Sequence, residues 1–70
     1  MNRKDLLLEI KTNHKELYDY LNNDPEISSI FNHIEDAHPG EIYLLNRKIG
    51  AGIGFLGMDF FLTCELRFQW

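Results

Sequence analysis

The hydrophobic positions of this chain repeat at two different spacings. In the first third, Leu6, Leu7, Ile10, His14, Leu17, Tyr18 and Leu21 fall within an arc of about 120° at helical periodicity, and Leu8 falls outside it. That pattern predicts one amphipathic helix from about Arg3 to Asn22. Asn2 is a suitable N-cap, Asp5 sits in the first turn, and Asn22-Asn23 supplies a stop. Three heptads are too few for a coiled coil, so packing against the rest of the domain is expected. Asp24-Pro25 then opens a second helix, because aspartate caps and proline lacks only an N–H that the first turn leaves unpaired. Ile27, Ile30, Phe31 and Ile34 form its apolar stripe. Ser28, Ser29, Asn32, Glu35 and Asp36 take the opposite side. His38 precedes Pro39, which biases it away from helical geometry, so this helix is expected to end near Ala37. Pro39-Gly40 suits a type II turn.

Beyond the turn the pattern reads as period two. Glu41–Asn46 predicts a short strand with Tyr43 and Leu45 on one face and Ile42 and Leu44 on the other. Asn46-Arg47-Lys48 reads as a turn. A second strand is expected over Ile49–Leu56, with Gly50, Gly52 and Gly54 on one face. Gly57-Met58-Asp59 turns into a last strand from Phe60 to Gln69. There Phe60, Leu62, Cys64, Leu66, Phe68 and Trp70 alternate with polar positions and Phe61. The expected architecture is α+β, with two N-terminal helices on one face of a small antiparallel sheet in the order α-α-β-β-β.

Gly52-Ile-Gly54-Phe-Leu-Gly57 also fits the dinucleotide fingerprint G-x-G-x-x-G. That motif needs a strand before it and a helix after it, so that the pyrophosphate meets a helix N-terminus. The strand-like stretch after Gly57 argues against it. The glycines are therefore expected to allow close backbone packing.

The chain has 70 residues and reads as one domain, residues 1–70. Domains this small bury a modest core and often gain stability by association. Cys64 is the only cysteine, so no internal disulfide is available. With no signal peptide or membrane span evident, a cytoplasmic location is expected.

The net charge is −4, and its distribution is uneven. From Glu16 to Asn46 the chain has no lysine or arginine but carries Glu16, Asp19, Asp24, Glu26, Glu35, Asp36 and Glu41. A nucleic-acid surface requires a basic stripe, so direct nucleic-acid binding is disfavoured and a basic protein surface is the expected partner. Glu16, Asp19, Glu35 and Asp36 are the candidate partner-binding face.

No residue cluster specifies a reaction. His33 and His38 are five apart, which separates them on a helix, and zinc pairs on one helix require three or four. No metal, cofactor or catalytic set is expected. His14 lies in the apolar arc and reads as a hydrogen-bonded interface histidine. Cys64 reads as a buried, inert thiol. Tyr43, Leu45, Phe61 and Trp70 are candidate self-association residues, favouring a homodimer. Arg47, Lys48, Gly50, Gly52 and Gly54 form a candidate ligand site, if backbone N–H groups there make an anion nest.

These features lead to the expectation of a small, acidic, non-enzymatic interaction protein. It would occlude a larger basic partner, such as one that binds nucleic acid, as proteins of the immunity or phage anti-defence type do. The alternative is a small-ligand or nucleotide binder built on Gly50–Gly57.

Overall fold

The described residues fold around one long helix. The computed structural model describes residues 2–59 and 65–68. Among them are four α-helices: α1 (Arg3–Asn13), α2 (Lys15–Asn22), α3 (Pro25–Asn32) and α4 (Pro39–Leu56). A 3-10 turn at Ile34–Asp36 joins α3 to α4. No strand occurs among the described residues, so the expected α+β sandwich is replaced by a helical fold. The expected strand Phe60–Gln69 lies mostly outside the described residues. Its described part, 65–68, is not a strand: residue 65 is helical and 66 lies in a turn, with Leu66 and Phe68 buried and positions 65 and 67 exposed.

The largest correction concerns Glu41–Asn46 and Ile49–Leu56. Both expected strands, with the turn assigned between them at Asn46-Arg47-Lys48, belong to α4. Ile42, Leu45, Ile49, Gly52 and Ile53 are its buried positions. Their spacing of three and four residues is a helical seam, which was present in the sequence across the supposed turn. Pro39-Gly40 is not a type II turn but the first turn of this helix, where proline is accommodated for the reason it is in α3. Helical glycine costs about 1 kcal/mol relative to alanine, so Gly50, Gly52 and Gly54 weaken the local preference for helix. Burial of the seam overrides it. Ile42, Leu45 and Ile49 are all fully buried.

Gly52 accounts for the closeness of the packing. A Cβ built there would lie 2.8 Å from Leu17 Cδ1 and 2.8 Å from Tyr20 Cδ1, both on α2. Only a hydrogen fits at that crossing. Gly50 and Gly54 have open space around the same position. Gly57 ends α4 in the left-handed conformation, φ 68°, which an L side chain resists. The Met58 N–H then donates to the Ile53 carbonyl at 3.0 Å, closing a Schellman-type cap.

The two predicted N-terminal helices are each broken once. His14 (φ −134°, ψ 59°) leaves helical geometry, so the expected Arg3–Asn22 helix is two helices. The hydrophobic arc survives the break: Leu6, Ile10, Leu17 and Leu21 are buried, and Leu8 is 60% exposed. Asn2 and Asp24 cap as expected, accepting from the N–H groups of Asp5 at 2.8 Å and Glu26 at 3.0 Å. The second break is at His33 (φ −132°), after which Ile34–Asp36 tightens into the 3-10 turn. Arg3 holds this turn from α1. Its guanidinium donates to the carbonyls of Ala37 at 2.9 Å and Ile34 at 3.1 Å.

Glu41 joins the end of α3 to the start of α4. Oε1 accepts the His38 N–H at 3.0 Å, and Oε2 lies 2.9 Å from His33 Nε2. The His38 N–H, and next the His33 imidazole, hold the Glu41 carboxyl below its ordinary value, against a smaller opposing effect of burial.

Two predictions follow from this packing. Gly50→Ala and Gly54→Ala should each raise stability by up to about 1 kcal/mol in chemical denaturation. Gly52→Ala should lower it by about 1 kcal/mol or more through overpacking against Leu17 and Tyr20. Equal gains at all three sites would refute the close crossing. For Glu41 the folded-state pKa is depressed, so its contribution is present above the ordinary carboxylate range and is lost as pH falls through the lowered value. Glu41→Gln should therefore be less stable than the wild type at neutral pH, and thermal melts of the two should converge in acid. A difference that persists unchanged into acid would rule out the carboxylate as its source.

Candidate interaction surface

The core leaves no ionisable or polar side chain buried among the described residues, so their chemistry lies at the surface. The candidate acidic face is divided between two elements. Glu16 and Asp19 are exposed on α2, whereas Glu35 and Asp36 are exposed on the 3-10 turn. The second pair shares a shallow pocket with Lys4 of α1, and Arg3 lies against the carbonyls of the same turn. Bases distant in sequence therefore offset the acids of the turn. Those of α2 stand on an open helix face, where Glu16 is one turn before Tyr20 and three residues before Asp19.

Tyr20 supplies what the acidic pattern alone did not reveal. Its ring packs against Phe55 of α4, with centroids 5.5 Å apart and planes tilted by 31°. Phe55 is 77% exposed, the most exposed large hydrophobic among the described residues. Lys48 Nζ also lies over the Tyr20 ring, 5.1 Å from its centroid, and 3.6 Å from Asp24 Oδ2. Asp24 thus caps α3 with one oxygen and anchors Lys48 with the other. Tyr20, Asn23, Asp24, Pro25, Lys48 and Phe55 enclose an open depression at the junction of α2, α3 and α4. Phe55 could have been found by reading residues 39–56 at helical period, which puts it beside Gly52 and off the buried seam.

The candidate ligand set does not assemble as expected. Gly50, Gly52 and Gly54 lie inside α4, whose interior N–H groups bond carbonyls four residues earlier and are not free donors for an anion nest. Arg47 and Lys48 line one shallow depression together with Asp24 and Glu26, but their ring contacts differ. Lys48 joins Tyr20 and Asp24, while Arg47 lies over Tyr43, 5.9 Å from its centroid.

The self-association set also separates. Tyr43 is 53% exposed, but Leu45 is fully buried in the α4 seam and is a core residue. Phe61 and Trp70 lie outside the described residues, as does Cys64. Phe68, on the apolar side of the expected last strand, is buried. His14 is partly buried at the α1–α2 break and not within a continuous helix face.

Among the described residues, no group of three or more His, Cys, Asp or Glu side chains is placed to hold a metal, and no helix is long and apolar enough to cross a membrane. No family model matches this sequence, and comparison with curated proteins and with solved structures finds no match either.

Proposed function

We propose that this is a non-enzymatic interaction protein that docks an acidic and aromatic surface onto a larger partner with a basic face, and that it acts by occlusion, as an inhibitor of the immunity or anti-defence kind. The observation that carries the reading is the Tyr20–Phe55 step, in which Phe55 of α4 is largely in solvent and Tyr20 stands on α2, the helix that also presents Glu16 and Asp19. Aromatic side chains dominate interface energetics because they bury much apolar area with few rotamers to freeze. Carboxylates around them steer a basic partner and align it, adding more to the association rate than to the lifetime of the complex. The two contributions are separable by mutation.

Capture of partners from the native host's lysate, followed by kinetics on the captured partner, tests this. Phe55→Ala should speed dissociation, by roughly tenfold or more if Phe55 is an anchor. Glu16→Gln with Asp19→Asn should slow association and flatten its salt dependence. Binding that ignores all three changes would defeat the proposal. If Phe55→Ala instead lowers the mass of the protein in solution, the aromatic step belongs to a second copy of the chain.

A further inference from the structure

We propose that the notch between α4 and residues 66–68 binds the phosphate group of a small phosphorylated molecule, held between Arg47 and Arg67. This site is separate from the Tyr20–Phe55 surface.

Tyr43, Asn46 and Arg47 are three and four residues apart on α4 and share one face. Asn46 fixes the C-terminal segment to that face by two hydrogen bonds to one residue. Its Nδ2 donates to the Phe68 carbonyl at 2.9 Å, and its Oδ1 accepts the Phe68 N–H at 2.8 Å. Leu66 and Phe68 are both buried in the core, and the residue between them is exposed. That residue is Arg67. It lines, with Tyr43, Asn46 and Arg47, a cavity of about 160 Å³.

Two arginines twenty positions apart in sequence are thus brought to one small concavity, and none of the described residues lining it is a carboxylate. Neither Arg47 nor Arg67 forms an ion pair among the described residues, although the chain as a whole is acidic. Like charges placed together without a counter-charge repel, and an oxyanion between them would remove that cost. The guanidinium fork matches phosphate oxygens through paired N–H donors. Arg47 is already oriented, lying over the Tyr43 ring, so less of its freedom is lost on binding. The cavity falls below the roughly 300 Å³ at which pockets enclose drug-sized ligands. It therefore takes the anionic head and leaves the remainder of the molecule outside the notch.

The test is titration of the full chain with inorganic phosphate, ribose 5-phosphate and acetate at equal ionic strength, following the arginine Nε–H signals by NMR. Saturable shifts at Arg47 and Arg67 are expected with both phosphates, with ribose 5-phosphate the tighter. Arg47→Gln and Arg67→Gln should each weaken binding by roughly tenfold or more, while Lys15→Gln, which removes the same charge elsewhere, leaves it unchanged. Both arginines are exposed, so the variants should keep the wild-type helical circular dichroism. Absence of saturable shifts, equal weakening in all three variants, or acetate binding as tightly as phosphate would each overturn the proposal. Ribose 5-phosphate binding no tighter than inorganic phosphate would overturn the assignment to a phosphorylated molecule.

Discussion

The crossing of α4 over α2 at Gly52 is the contact that the rest of the fold depends on. It lets two helices meet at the separation of a missing side chain, with Leu17 and Tyr20 occupying the space where a Cβ would lie. The buried seam Ile42, Leu45, Ile49 and Ile53 runs along the same helix and meets the apolar stripes of α2 and α3. Close packing is what makes such burial effective, since a gap at the crossing would forfeit contacts on both sides. The intrinsic cost of glycine within α4 is offset by this approach at Gly52 alone, because Gly50 and Gly54 face open space.

The surface follows from the same arrangement. With Gly52 buried against α2, Phe55 emerges beside Tyr20, and Lys48 reaches across to Asp24 at the start of α3. Arg47, one residue earlier and about 100° round the helix, is directed instead toward Tyr43 and the segment that carries Arg67. One helix thus separates an aromatic and acidic side from a basic notch. Arg47 and Lys48, adjacent in sequence, border one depression with Asp24 and Glu26 but lie over different rings.

The N-terminal half was legible in the sequence because local signals and burial agree there. Asn2 and Asp24 cap, Pro25 starts a helix, and Leu6, Ile10, Leu17, Leu21, Ile27, Ile30 and Phe31 are buried as their spacing required. The breaks at His14 and His33 were not visible, because neither is a glycine or proline and the hydrophobic arc continues through both. The C-terminal half was misread because its local signals oppose the tertiary outcome. Glycines at alternate positions and short apolar runs favour strands when judged over six residues. The seam from Ile42 to Ile53 favours a helix only when judged over twelve. Of the candidate site, exposure of Glu16 and Asp19 could be read from the helix pattern. The pairing of Tyr20 with Phe55, and of Arg47 with Arg67, depends on that long helix and could not be.

The continuity of α4 through Asn46-Arg47-Lys48 is therefore the point on which the account turns. Backbone 13C chemical shifts of the full chain measure it directly. Uninterrupted helical shifts from Pro39 to Leu56 are expected. Extended shifts over Glu41–Asn46 and Ile49–Leu56, with a turn at 46–48, would contradict the account and remove both surfaces built on it.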